Sequence, residues 1–337
     1  MTWFSFHFSD FAVSFNSLLF EGIPFLLLGA LISGIVDVFV PTRWITRLLP
    51  KNPSGAVLVS GLLGAVFPMC ECGSVVVIRR FLAKGLPVSC AVAYMLAAPL
   101  VSPLVIITTF WAFQGQDPWP MTIFRLLFGY TLAVGAGLFV QRLRVEQVLA
   151  PEVLASLKVG VPGGLKGVPA GSGERRREGL KVLPTALPEE PESLEGWEGL
   201  LEPPSMKTKI RRVLRTATSD FLDVAFFFVI GAAIAAIFNT AVRQEVILPL
   251  ATNDVLATLG MMVLASLLAL CSTTDAFIAA SFVAFPFAAK LAFLVFGPMV
   301  DVKLFFLYGM VFRRRFVMLL LLALFIAVAL LSLRVAS

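Results

Sequence analysis

Between residues 11 and 40 the chain carries only Glu21 and Asp37 as ionisable groups. Stretches of the same apolar character return at 55–78, 86–113, 121–140, 219–242, 255–312 and 316–333. About 20 consecutive apolar residues match the hydrocarbon thickness of a bilayer. Inside that layer the backbone has no water to bond, so each stretch is expected to be helical. The longest stretch, 255–312, is expected to split near 286–290, which brings the tally to eight segments. With 58% hydrophobic and 14% charged residues and a mean hydropathy of +0.92, the chain holds more apolar surface than a soluble domain of its length can hide. The expected class is an all-α integral membrane protein, multi-pass and in the plasma membrane.

The net charge of +6 is unevenly spread, since thirteen of the 27 Lys and Arg fall within 141–218. That bias is the mark of a cytoplasmic loop. No nucleic-acid-binding motif accompanies it. The same region is rich in Gly, Pro, Glu and Arg and has no apolar periodicity, so it is expected to be a disordered linker. It separates a first membrane repeat (1–140) from a second (219–337). No phosphate-binding G-x-x-x-x-G-K-[ST] loop occurs, which excludes that route to ATP. The first fifteen residues lack a basic start and a small-residue cleavage site, so insertion is expected to rely on the first span.

The two halves share three anchors in order. "EGIPFLLLGALISGI" from Glu21 matches "DVAFFFVIGAAIAAI" from Asp223, "CECGS" from Cys70 matches "CSTTD" from Cys271, and "APLVSPLVI" around Pro99 matches "GPMVDVKLF" around Pro298. The offsets are 202, 201 and 199 positions, as expected of an internal duplication. If the second element of each half spans fully, the repeats are parallel. If it turns back at residues 70–73, they are inverted. Arg43, Arg47 and Lys51 before that element, and Arg79, Arg80 and Lys84 after it, share the cytoplasmic side only in the inverted case. Arg313, Arg314 and Arg315 then fall on the same side, and the stretch 240–254 on the other. The expected architecture is two pseudo-symmetric halves, an inverted repeat with broken or re-entrant helices.

The breaks carry the chemistry. A Pro-Met-Cys-Glu-Cys-Gly stretch interrupts a helix at mid-membrane, which is tolerated only where it is buried in protein or lines a cavity. Glu71 is an expensive intramembrane charge, and such charges mark sites by default. Cys70 and Cys72 add soft ligands suited to a thiophilic partner, and Gly73 permits close approach. A lone C-x-C does not make a metal site, so no metal, cofactor or catalytic residue is expected. Cys90 reads as a small core residue. Cys271, Ser272, Thr273 and Asp275 form the matching break, which supplies one acid per half. Pro99, Ser102 and Pro103, with Pro298 and Asp301, mark further interruptions that free backbone carbonyls. Asp301 and Lys303, two apart on a helix, are expected on different faces, with Lys303 reaching the interface or an acid on another element. Glu21 and Asp223 are expected near a membrane surface.

Taken together, "CECGSVVVIRRFLAKGLPVS", "AYMLAAPLVSPLVI", "CSTTDAF" and "LVFGPMVDVK" resemble the predicted permeases of the ArsP/YraQ type, over about 15–140 and 219–335. The resemblance implies an eight-segment membrane permease, in a family where some members export trivalent organoarsenicals. It also implies functional roles for Cys70, Glu71, Cys72, Gly73, Pro99, Ser102, Pro103, Cys271, Ser272, Thr273, Asp275, Pro298 and Asp301. This chain has Val76 where the family pattern often has proline and Ser102 where it often has asparagine. Glu71 replaces the small hydroxyl residue of the arsenic exporters. The resemblance therefore implies a permease and leaves its solute open.

The expected function is a secondary transporter moving a small, thiophilic or metalloid-containing solute by alternating access, with the acids coupling a proton or cation. Its partners are the lipid bilayer, a small-molecule or ion substrate and, as an open alternative, further copies of the chain. The rivals are a membrane thiol redox protein using Cys70 and Cys72, and a non-transporting sensor or partner subunit.

Overall fold

The computed structural model describes residues 8–39, 49–50, 52–66, 69–151, 153–154, 206–241 and 253–336. The described part is almost entirely helical: α1 (Phe8–Phe39), α2 (Pro53–Val66), α3 (Glu71–Ala83), α4 (Val88–Val101), α5 (Pro103–Ala112), α6 (Pro118–Val140), the one-turn α7 (Val145–Val148), α8 (Met206–Ala241), α9 (Asp254–Leu268), α10 (Thr274–Ser281), α11 (Phe287–Phe296), α12 (Val302–Gly309) and α13 (Arg314–Ala336). Among the described residues, five helical stretches are long and apolar enough to cross a membrane: Phe8–Phe39, Val88–Ala112, Pro118–Val140, Met206–Phe238 and Arg314–Val335. The other apolar helices are shorter. At 1.5 Å per residue, the 14 residues of α2 reach only about 21 Å.

Each expected break falls at a polar or proline-containing motif. The 55–78 stretch divides into α2 and α3 on either side of the cysteine motif. The stretch 86–113 divides at Ser102, because Pro103 cannot bond backward and starts a new helix as its first residue. The stretch 255–312 contains four helices where the sequence pointed to two. Its first division comes at the Cys271 motif, its second at 282–286, and its third around Gly297 and Pro298. Helix α8 starts at Met206, earlier than the expected 219. Most of the remaining linker, with Arg43, Arg47, Lys51 and Arg243, lies outside the described residues.

Close contacts fix the relative directions of the helices. Ser60 Oγ on α2 donates to the Cys90 carbonyl on α4 (2.7 Å), and Gly64 lies against Ala98. Numbers rise together, so α2 and α4 run the same way. Between them, α3 ends in a tight turn at Gly85, whose φ of +88° is the left-handed region glycine favours, and α3 packs along α4. It therefore returns toward the end from which α2 sets out. Gly29 lies against Gly73, and the Lys84 ammonium donates to the Val36 and Asp37 carbonyls (2.6 and 2.9 Å), so α1 and α3 run in one direction. On α1 and α8, Gly22 meets Phe228 while Gly34 meets Val213, so these sequence-matched helices are antiparallel.

Small residues bring the central helices close, among larger buried side chains such as Tyr94, Met95 and Phe293. Helix α4, with sequence VSCAVAYMLAAPLV, is buried along its whole length. Bilayer lipid gives no hydrophobic drive for helix association, so close backbone approach over Ala, Ser and Gly supplies the packing. Helices α2, α3 and α6 surround α4, and α11 takes the matching place among α9, α10 and α13. The long pair α1 and α8 packs on α3 and α12, and has no comparable packing on α5 or α10.

Candidate functional site

The cysteine motif starts α3. Cys70 is its N-cap, with extended backbone, and its sulfur accepts a bond from the Gly73 amide (3.3 Å). Glu71 is thereby held in the first turn, where a carboxylate is favoured by the exposed amides of the helix end. It is 2% exposed, and its Oε2 has no hydrogen-bond partner. A buried acceptor left unpaired costs about 1–3 kcal/mol, a cost this atom shares with Asp275 Oδ2.

Glu71 opens onto a pocket. Cys70, Cys72 and Cys271 supply thiols, and Glu21, Glu71 and Lys303 supply charge. Leu18, Gly22, Phe25 and Phe228, from α1 and α8, form the apolar wall. Its cavity volume is about 10 Å³, about the space of one water and far below the range of about 300–1,000 Å³ usual for ligand pockets. All four cysteines are free. Among the described residues no set of three or more His, Cys, Asp or Glu converges as a metal cage.

The structure thus brings Cys70, Glu71 and Cys72 together with Cys271, across the two halves. Gly73 lies just behind them, where its Cα meets Gly29. The rest of the second break does not line the pocket. Thr273 Oγ1 contacts the Cys271 sulfur at 3.6 Å. Ser272 is buried, and its carbonyl accepts from Arg125 Nη2 (2.8 Å). Asp275, 1% exposed, lies against Gly297 with its Oδ2 unpartnered. Ser102 is buried at the α4–α5 junction and Pro298 in the turn before α12, both apart from the pocket lining. Pro99 does not break its helix: it sits inside α4, where the loss of one backbone hydrogen bond is tolerated among packed neighbouring helices. Pro103 is exposed on the surface.

Two expectations about charge are corrected. Asp301 and Lys303 do pair, at 3.5 Å, with both side chains buried. The helical-spacing argument fails because Asp301 precedes the helix. It is the extended N-cap of α12, with Oδ1 accepting from the Leu304 amide (2.6 Å). Glu21 is not at a helix start. It lies within α1, lines the pocket and accepts a hydrogen bond from Thr274 Oγ1. Its sequence counterpart Asp223 is exposed and meets Arg79 at 3.6 Å.

The sequence argument missed Arg125 altogether. It is 2% exposed in the middle of α6. Its signal was available: it is the single charged residue of the stretch 121–140, and intramembrane charge is a default marker of function.

Residues 7–336 match the model of a family described as a predicted permease. The chain belongs to that family. It is 36% identical over 309 residues to a Bacillus subtilis protein named UPF0718 protein YcgR, with 91% of this chain and 90% of the relative covered. A Streptococcus mutans relative, provisionally named a two-component membrane permease complex subunit, is 28% identical over 305 residues, covering 90% and 87% of the two chains. No solved structure matches. The permease is a multi-pass integral membrane protein of the plasma membrane, as its family and its apolar helices together require.

Proposed function

We propose that this permease is a secondary transporter of a small, thiophilic solute, built from two inverted repeats and working by alternating access. The single observation behind this reading is the pocket at the cysteine break, where an unpartnered, buried Glu71 oxygen meets three thiols drawn from both halves. Two further features support it. The matched helices α1 and α8 run antiparallel. The short helices α2 and α3 form a hairpin that returns to its starting side, the behaviour of a re-entrant element. In this reading the thiols contact the solute, and Glu71 and Asp275 exchange protons or cations as the site changes sides.

The test uses proteoliposomes loaded with a pH-sensitive dye and challenged with a panel of thiophilic and other small solutes. A solute that drives proton movement is expected, and Glu71→Gln with Asp275→Asn should abolish that movement. Undiminished movement in the double variant removes the coupling role. A second reading, a subunit that needs a partner to transport, is favoured by the name of the Streptococcus mutans relative. Solute movement by the purified chain alone would exclude it.

A further inference from the structure

Each of the two breaks is met by a cation from the opposite half. Lys303, on α12 of the second half, lines the pocket at the first break. Arg125, on α6 of the first half, reaches the second. Its Nη2 donates to the Ser272 carbonyl (2.8 Å) and its Nη1 to Thr109 Oγ1 (2.6 Å). Thr109 in turn donates to the Val105 carbonyl (2.7 Å), which fixes its hydroxyl to α5. One guanidinium therefore ties α6 and α5 of the first half to the non-helical segment that precedes α10 of the second.

The Ser272 carbonyl follows Cys271 directly, and Cys271 is the only residue of its motif that lines the pocket. A residue in a helix interior is held by its ladder of backbone bonds, whereas one in a break depends on whatever side chain caps its carbonyls. Burying a guanidinium at this depth is costly. The planar fork of arginine can bind two acceptors at fixed angles, which a lysine cannot match.

We propose that Arg125 is a positioning residue of the transport site: it sets the placement of the Cys271 thiol in the pocket through the Ser272 carbonyl, and so couples the first half to the soft-ligand face of the second. This rests on the pocket being the transport site. Arg125 itself does not line the pocket.

The experiment reads thiol reactivity, which requires no known solute. In membranes, Cys271 is left as the sole cysteine by Cys70→Ser, Cys72→Ser and Cys90→Ser, and its alkylation by N-ethylmaleimide is timed. Arg125→Met is expected to raise the rate by about tenfold, the scale of a lost charge-assisted hydrogen bond. Arg125→Lys, which keeps the charge but not the two-acceptor fork, should recover part of the difference. A protein with Cys70 as its sole cysteine should change less than about twofold on the same Arg125→Met substitution, because its sulfur is held locally by Gly73. An unchanged Cys271 rate, or equal acceleration at Cys70 and Cys271, overturns the proposal. If Arg125→Met fails to fold, Thr109→Val decides. It removes the Nη1 contact together with the Thr109 bond to the Val105 carbonyl, leaves the Ser272 contact in place, and should shift Cys271 by about threefold in the same direction; no shift overturns the proposal. A negative result leaves the transport reading intact. Conversely, a permease that moves no solute in the proteoliposome assay can still show the Cys271 effect.

Discussion

Removing Asp220 should loosen the end of the molecule at which α1, α3 and α8 converge. Arg80 on α3 holds both oxygens of Asp220 on α8, through Nε (2.9 Å) and Nη2 (2.7 Å). Ser33 on α1 donates to the same carboxylate at 2.7 Å. The side chains of Arg80 and Asp220 are 29% and 9% exposed, so the pair lies between two known limits. Exposed pairs contribute about 0–1 kcal/mol, while breaking a buried pair costs about 3–5 kcal/mol. With bidentate geometry and one partner buried, Asp220→Ala should cost about 3 kcal/mol, of which the lost Ser33 bond accounts for about 1 kcal/mol. Ser33→Ala alone should cost about 1 kcal/mol. A double-mutant cycle of Arg80→Ala with Asp220→Ala, read by SDS titration in mixed micelles, should give a coupling energy of about 2 kcal/mol. A coupling below about 0.5 kcal/mol would mean that solvent screens the pair and that α3 is held by packing alone.

Further outcomes follow from close contacts and charge. Gly29→Ala places a Cβ 2.8 Å from the Gly73 Cα and should cost about 1–3 kcal/mol by overpacking. Gly73→Ala meets its nearest atoms at 3.5 Å and should be milder in the same titration; the reverse order would refute the packing argument. Asp301→Ala removes the N-cap of α12 and strands the Lys303 charge, so a loss of about 3–5 kcal/mol is expected. Adding Lys303→Met should recover part of it in a thermal-shift assay in detergent; no recovery would mean that the cap alone matters. Single cysteines at Asn52 and Lys84, on either side of the α2–α3 hairpin, should react with an impermeant maleimide from one membrane face, and those at Asp117 and Asn253 from the other. Opposite faces for Asn52 and Lys84 would refute the re-entrant hairpin.

The breaks were legible in the sequence because their chemistry is incompatible with a lipid-facing helix. A Cys-Glu-Cys-Gly run and a Ser-Pro step leave backbone groups unbonded wherever they occur. The meeting of Cys70, Glu71 and Cys72 with Cys271 followed from the duplication. What was not legible depended on where helices start. Asp301 was placed on a helix that begins one residue later, so its pairing with Lys303 was missed. Glu21 reads as the head of an apolar run, yet α1 begins at Phe8 and carries it inward to the pocket. Its partner Thr274 is 253 residues away, a separation no local pattern reports. Pro99 shows the limit of proline as punctuation, since a well-packed helix passes through it. Arg125 was legible in principle from its isolation within an apolar stretch.

The pair α1 and α8 lies against α3 and α12 and leaves α5 and α10 without that cover. By the internal match, α3 corresponds to α10 and α12 to α5. Two halves matched in sequence therefore differ in their contacts. The alternating access proposed above would call for a second packing, in which the pair leans on the other two short helices. Under the offsets of 202 and 199, Gly29 would meet Leu104 where Gly231 now meets Lys303. The two packings exchange a glycine-to-lysine contact for a glycine-to-leucine one, and a buried charge is uncovered in the exchange. In the proposed exchange, the cost of uncovering Lys303 would enter the balance between the two packings beside the apolar surface.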